Sequence, residues 1–137
     1  SYVDPDDHEA VIAAFDSAEK IFRVIYNEDD YGDNFYDLAV WFVCMKAPAY
    51  LNLGREEEMF ACLEKALEYS KCYSKMPDIY EHTSPFIDGL ISFKTYERAD
   101  SRSEMEIIVD DLSSEIYEDV SDKERLARLI EAFEELV

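Results

Sequence analysis

The chain has 137 residues, of which 33 are acidic and 13 are basic, so its formal net charge is −20. This length fits a single domain that buries a core without metal or disulfide staples, and the charge excludes nucleic-acid binding by this domain alone because it repels phosphate. Hydrophobic residues make up 48% of the chain, which excludes disorder, and the low counts of three glycines and four prolines favour an all-helical fold.

The first predicted helix begins near Pro5 and ends near Tyr26. Asp4 is the predicted N-cap, and proline suits the first turn, where a helix needs no amide donor. The polar segment 27–33, which contains Gly32, is predicted to be a loop. The stripe of this helix that we expect to be buried comprises Val11, Ala14, Phe15, Ala18, Ile21, Phe22 and Ile25.

The second predicted helix covers residues 34–53 and is the best candidate for a central helix. It is apolar on nearly every side over 38–45, as expected for a helix with neighbours all around it. Pro48 removes one backbone donor, so we expect a kink or a local break over 44–47. The predicted inner side comprises Phe35, Leu38, Ala39, Phe42, Ala49, Tyr50 and Leu53.

A third helix is predicted directly after Gly54, ending near Ser74. Three glutamates at 56–58 suit the positive end of its dipole. The small Ala66 falls where a neighbouring helix must come close. Its apolar stripe comprises Met59, Phe60, Leu63, Ala66 and Leu67.

The segment that follows is predicted to connect two halves of the chain. Residues 75–83 include a Met-Pro pair and are read as a connection, and a short helix is predicted over 84–91, begun by Ser84 and Pro85. The sequence over 93–102 gives no clear element.

Two capping boxes are predicted near the end of the chain. Ser103 with Glu106 begins a helix over 104–114, and Ser121 with Glu124 begins the last helix. The apolar positions of these two helices are Met105, Ile107, Ile108, Leu112, Leu126, Leu129, Ile130, Phe133 and Leu136.

The cysteines and the longest apolar run indicate in which compartment we expect the protein. Cys44, Cys62 and Cys72 lie in predicted helices without the spacing of a zinc or redox motif, so we expect reduced thiols in a cytoplasmic protein. The apolar run 38–45 is far shorter than the roughly 20 residues that span a bilayer, and no signal peptide opens the chain. We therefore expect no membrane contact.

Metal and cofactor binding are not expected. The acidic segments 4–9 and 28–33 resemble calcium loops only superficially, because the second would place Leu38 where a bidentate glutamate is needed. Helix capping and a solvated surface explain both segments. His8 and His82 do not complete a metal site with the cysteines, so we expect neither a metal nor a cofactor.

No catalytic constellation is visible. Asp110 and Asp111 are neighbours on a predicted helix and point apart, so they offer no general acid and base pair. No base can be assigned to a cysteine nucleophile. We expect a protein that is not an enzyme; a small hydrolase or metal enzyme stays as an alternative that a deep pocket with convergent polar groups would favour.

Tyr50, Gly54, Leu63 and Ala66 are spaced as in a tetratricopeptide repeat, a helical hairpin of about 34 residues. The wider pattern resembles the C-terminal region of XRE-type helix-turn-helix regulators from Firmicutes, in which tetratricopeptide-like helices follow a DNA-reading domain. The segments that carry this resemblance are 29–32, 49–54, 62–68, 82–85 and 122–126. It implies an all-α fold of antiparallel helical hairpins in a tetratricopeptide-like right-handed superhelix. Residues 1–137 are then a single domain, a fragment that lacks the N-terminal DNA-binding domain.

The resemblance implies a non-catalytic protein-interaction, dimerisation or effector-sensing domain of a transcriptional regulator, which touches DNA only through the absent domain. The alternative is a free-standing tetratricopeptide-like adaptor for a protein or peptide partner. The first helix of such a hairpin lines the concave groove, which implies partner contacts by Trp41, Cys44, Pro48, Leu51 and Asn52. An apolar groove rimmed by acids suits a basic, amphipathic or extended peptide. The same face could instead pack on helix one or on a second copy in a homodimer.

Overall fold

The computed structural model describes residues 3–26, 33–75, 79–81, 85–86, 91–93 and 103–137. Helices dominate these residues, so the all-α prediction is confirmed at the level of fold class. The elements in chain order are α1 (His8–Ile25), α2 (Asp33–Asn52), α3 (Glu56–Lys75), β1 (Ile79–Glu81), β2 (Ile91–Phe93), α4 (Glu104–Leu112), a 3₁₀ turn (Glu115–Tyr117) and α5 (Lys123–Glu134).

A short antiparallel ladder joins β1 to β2, with Ile79 opposite Phe93 at one end. The predicted connection 75–83 therefore contains a strand, and the predicted helix was wrong at Ile91, which lies in β2. A turn occupies 85–86, and the other residues of that predicted helix lie outside the described part of the chain. Strands of three residues offer too few positions for a period to be read from the sequence.

The N-cap of α1 is Asp7, whose carboxylate accepts a hydrogen bond from the amide of Ala10 at 3.1 Å. The prediction of Asp4 as the cap was wrong. The Asp4 carboxylate instead accepts from the amide two residues later at 2.9 Å and so stabilises a turn ahead of the helix. Asp4 and Asp7 have the same capping chemistry. The turn ahead of the helix places Asp7 directly before the first helical residue, His8.

The buried face of α1 is narrower than the predicted stripe. Ile12, outside that stripe, is buried, whereas Ile21 is 60% exposed, so its assignment to the core was wrong. The helix packs mainly on α2 and therefore covers only one face. The half-buried positions of the stripe are Val11, Ala14, Phe15, Ala18, Phe22 and Ile25.

The central position predicted for α2 is confirmed, because α2 packs against α1 and α3. The predicted break is wrong: α2 continues as one helix through Pro48. Buried side chains on both sides of the proline, such as Val43 and Ala49, hold the helix in place despite the lost donor. The side chain of Phe35 lies outside the described residues.

The turn between α2 and α3 confirms the predicted role of Gly54, which has φ of +73°. Its amide donates to the carbonyl of Leu51 at 3.0 Å, and the amide of Arg55 donates to the carbonyl of Tyr50 at 2.9 Å. These two bonds form a Schellman motif, which satisfies carbonyls at the end of α2. The chain thereby turns back so that α2 and α3 pack against each other.

Gly54→Ala should lower the free energy of unfolding by about 1–2 kcal/mol, because an L-residue pays for the left-handed conformation. A β-carbon at this position would have no heavy atom within 4 Å, so a steric clash adds nothing. Urea unfolding followed by circular dichroism measures the change. Gly54→Asn is the control and should lose less, since asparagine tolerates this conformation. Equal stability of the alanine variant and the native chain would contradict the turn.

The core is organised around α3, whose predicted stripe is confirmed at four of five positions, with Leu67 half-buried. One side of α3 packs on α2 and another on α5, so α3 lies between them. The buried side chains that α4 and α5 add to the same core are Met105, Ile108, Leu112, Leu126, Leu129 and Phe133.

The capping box of α4 is confirmed. The Ser103 hydroxyl accepts from the Glu106 amide at 3.2 Å, and the Ser103 amide donates to the Glu106 carboxylate at 2.7 Å. These two hydrogen bonds satisfy the backbone amides of Ser103 and Glu106 at the exposed start of the helix.

The start of α5 differs from the prediction of a Ser121 capping box. Asp122 is the N-cap and accepts from the amide of Arg125 at 3.0 Å. The amides of Ser121 and Asp122 donate to the two carboxylate oxygens of Glu56 in α3, at 2.6 and 3.3 Å. A glutamate from the first turn of α3 therefore occupies the place that Glu124 would take in a local box.

Candidate interaction cleft

All five predicted groove residues lie on α2, and the structure separates them into two groups. Trp41 and Cys44 line a cleft between α2 and α4, whereas Pro48, Leu51 and Asn52 lie beyond its end, toward the Gly54 turn. Trp41 and Asn52 are exposed, and the other three are half-buried. The geometry thus brings only two of the five to one concave surface.

The α2–α4 cleft has a volume of about 470 Å³. This volume lies within the roughly 300–1,000 Å³ that is usual for ligand sites. One wall is α2, through Leu38, Val40, Trp41, Cys44 and Met45. The other wall is α4, through Glu104, Ile107, Ile108 and Asp111.

The sequence of α4 explains why one side of the helix faces the core and the adjoining side faces the cleft. Met105, Ile108 and Leu112 form a stripe that is buried in the core. Ile107 and Asp111 are four residues apart and therefore share the adjoining stripe, which faces the cleft. The 3₁₀ turn follows α4 in the chain and packs on both α2 and α4, so it links the C-terminal end of α4 to α2.

Trp41 is the most accessible aromatic side chain of the cleft wall, at 50% exposure. Its ring meets Phe15 of α1 edge-on, with centroids 5.3 Å apart, and lies 5.5 Å from the ring of Phe42. The packing on helix one that the sequence left open is therefore present. These ring contacts orient the indole, while half of the surface of Trp41 stays accessible on the same wall as Met45, which is 42% exposed.

The polar lining of the cleft is acidic. Asp111 is exposed at the C-terminal end of α4, and Glu104 is half-buried at its N-terminal end. None of the nine lining residues within the described ranges is a lysine or an arginine. The exposed carboxylate of Asp111 would therefore attract a cationic group at the cleft.

The cysteines near the cleft are protonated at neutral pH. Burial, with a smaller contribution from Asp111, raises the pKa of Cys44 to about 12. Burial also raises the pKa of Cys62 to about 11, although the charge of Lys46 acts in the opposite direction. Because the thiolate is the nucleophilic form, neither side chain is prepared for covalent chemistry.

Sequence reasoning missed a buried ion cluster between α1 and α2. The Lys46 Nζ lies 2.8 Å from a carboxylate oxygen of Asp16 and 2.7 Å from one of Glu19. Burial alone would lower the pKa of Lys46, but the hydrogen bonds to Asp16 and Glu19 outweigh it and raise the pKa. A lysine within a mostly apolar helix was the available signal. The cluster ties α1 to α2 next to Phe15, the ring that supports Trp41.

A second ion cluster fixes α5 on α3. Arg125 donates to the Glu57 carboxylate at 3.0 Å and to the Glu64 carboxylate at 2.6 Å, and its guanidinium lies 4.3 Å from the ring centre of Phe60. These contacts join residues more than sixty positions apart in sequence. Arg125 is therefore engaged within the chain.

Comparison with known protein families, curated proteins and solved structures found no match to this chain. Among the described residues, no group of three or more histidine, cysteine, aspartate or glutamate side chains could hold a metal ion. No helix in the same part of the chain is long and apolar enough to cross a membrane.

Proposed function

We propose that this chain is a non-catalytic, tetratricopeptide-like interaction domain of a cytoplasmic transcriptional regulator, and that its partner binds in the α2–α4 cleft. One observation carries the proposal: the cleft exposes half of an oriented tryptophan together with Met45. Tryptophan is enriched among the residues that dominate binding energy, and clustered apolar exposure is typical of interaction sites.

The fixed orientation of Trp41 favours binding, because its side chain has little conformational entropy left to lose. Its ring is already held by Phe15 and Phe42, so a partner that covers the exposed half does not have to immobilise it. Ile107 on the opposite wall is half-buried and offers the partner a second apolar surface. A side chain inserted between the two helices would contact both walls.

The proposed mechanism is a shift between two arrangements of the helices. α4 packs on α5, α2 packs on α1 and α3, and the 3₁₀ turn contacts both α2 and α4, so an occupant of the cleft would contact the helices on both sides of this turn. A partner that prefers one spacing of α2 and α4 would bias the presentation of an attached DNA-reading domain. Such a bias requires a difference in affinity between the two arrangements.

The alternative is an adaptor that binds a partner without any role in transcription. The coding sequence upstream of Ser1 discriminates between the two: a helix-turn-helix there favours the regulator, and its absence favours the adaptor. Operator affinity of the full-length protein, measured with and without the cleft partner, then tests the regulatory role. An affinity that never changes would overturn that role and leave the interaction role standing.

Trp41 allows a direct test of the cleft because it is the single tryptophan of the chain. We expect a partner to shift the indole emission to shorter wavelength in a saturable manner. Ile107→Ser, on the opposite wall, should weaken binding by about tenfold, the effect of roughly 1.4 kcal/mol of lost contact. Ile116→Ser is the matched control, since Ile116 is exposed and does not line the cleft. A partner that binds without changing the emission, and equally well to both variants, would contradict the proposal.

A further inference from the structure

We propose that the ligand of the α2–α4 cleft is a basic amphipathic α-helix of a partner protein. This inference rests on the proposed function and specifies the chemistry of its partner. It commits to a helix over an extended peptide, and to a cationic partner over a second copy of this chain.

The dimensions of the walls suit a helix. The α2 wall extends from Leu38 to Met45 and the α4 wall from Glu104 to Asp111. Each wall covers seven residue steps, or roughly 10 Å along its axis at a rise of 1.5 Å per residue. Two turns of a bound helix present apolar residues at positions i, i+3 or i+4, and i+7 over the same distance. The spacing of the walls and of such a partner therefore match.

Backbone hydrogen bonding disfavours an extended peptide. Both walls that the structure describes are α-helices, whose amide and carbonyl groups are bonded mostly within each helix, so these walls present no row of backbone donors and acceptors. An extended peptide gains affinity by adding to the edge of a sheet, and in this cleft its buried backbone groups would lack partners. A helix satisfies its own backbone groups and can bury its apolar face without that cost.

The negative charge of the chain favours a partner that carries positive charge. The exposed carboxylate of Asp111 lies at one end of the cleft, none of the lining residues that the structure describes is cationic, and the whole chain carries −20. Lysine or arginine beside the apolar face of the partner would be attracted by the net charge of the chain at long range and by Asp111 at short range. A second copy of this chain would bring another −20 to the same place, so self-association there is opposed by repulsion.

Four synthetic peptides of about 18 residues, long enough to populate a helix, test the inference. All lack tryptophan and tyrosine, so Trp41 remains the only indole. The parent peptide carries leucine at helical spacing and lysine elsewhere. One variant scrambles this order, a second replaces lysine by glutamate, and a third carries a central proline. We expect the parent to shift the Trp41 emission and to gain helicity, and each variant to bind at least about tenfold more weakly.

Two substitutions in the protein sharpen the test. Asp111→Asn removes the exposed carboxylate of the cleft without changing shape and should weaken the parent peptide severalfold at low salt, with a smaller effect at high salt. Asp119→Asn removes another exposed charge, outside the cleft, and should leave the affinity unchanged. Equal losses in both variants would mean that only the overall charge matters, which would overturn the assignment of Asp111.

The failures of the two proposals can be told apart. Equal binding of the proline peptide would overturn the helix, and equal binding of the glutamate peptide would overturn the basic partner, while both would leave the cleft as a binding site. An unliganded chain that sediments as a dimer with Trp41 shielded would show that a second copy fills the cleft. No response of Trp41 to any of the four peptides would overturn the inference, although the proposed function would then still be open to other partners.

Discussion

Phe133→Ala should lower the free energy of unfolding by about 3–5 kcal/mol, the loss that is usual for removal of a buried phenylalanine. Phe133 is 0% exposed and belongs to the core that joins α3, α4 and α5. The substitution removes the apolar contacts of the ring and leaves a cavity, because rigid helices can collapse onto it only in part. It is the largest single-residue effect that we expect for α5.

Urea unfolding of the Phe133 variant, followed by circular dichroism, measures this loss as a lower midpoint at similar slope. Ile116→Ala is the control, since Ile116 is 48% exposed and should change stability by no more than about 0.5 kcal/mol. A loss below about 1 kcal/mol in the Phe133 variant would mean that α5 does not dock on the core through this ring.

Lys46→Met should lower the free energy of unfolding by roughly 2–3 kcal/mol. Methionine keeps most of the apolar stem but leaves Asp16 and Glu19 facing each other without the ammonium group. Removal of one partner from a fully buried ion pair costs about 3–5 kcal/mol, and we expect less because Asp16 is half-exposed. Lys71→Met on the exposed face of α3 is the control and should stay within about 0.5 kcal/mol.

The contribution of Lys46 should also depend on pH in a defined window. Its pKa in the folded chain is raised above the ordinary value of 10.5, so its stabilisation is fully present below that value and is lost as pH rises through the folded-state pKa. The difference in unfolding free energy between the native chain and Lys46→Met should be constant from about pH 7 to 9 and shrink above about pH 10.5. A difference that shrinks between pH 7 and 9 would contradict the buried ion cluster.

Local signals allowed parts of the fold to be predicted correctly. Gly54 ends α2 because a left-handed residue is needed there, and Ser103 begins α4 because its partner Glu106 lies three residues ahead. The central position of α2 followed from its apolar surface, which needs neighbours on several sides. In each case the deciding residues are close together in sequence.

Contacts between distant residues account for the predictions that were wrong. Ser121 does not form its capping box because Glu56, sixty-five positions earlier, accepts its amide. The core position assigned to Ile21 required a second helix against α1, and within the described residues α1 packs mainly on α2. Lys46 could not be paired with Glu19 from the sequence, since the pairing depends on how α1 and α2 align.

Only one wall of the cleft was predictable. The resemblance to a tetratricopeptide hairpin implied that Trp41 and Cys44 lie on a groove, and both line the cleft. Ile107 and Asp111 were missed because they belong to a helix that begins more than fifty residues after α2 ends. The direction in which α4 faces is set by its packing on α5 and on the 3₁₀ turn, which no local pattern specifies.

The most direct test of the α2–α4 cleft as the binding surface is a two-dimensional NMR titration with the basic amphipathic peptide. The single tryptophan gives one indole N–H signal, and we expect it to move in a saturable manner together with the amide signals of Ile107 and Ile108. The signals of Ile21 and Val24, exposed on the outer face of α1, should stay in place. Shifts confined to that face of α1, with an unchanged indole signal, would contradict the cleft as the site of binding.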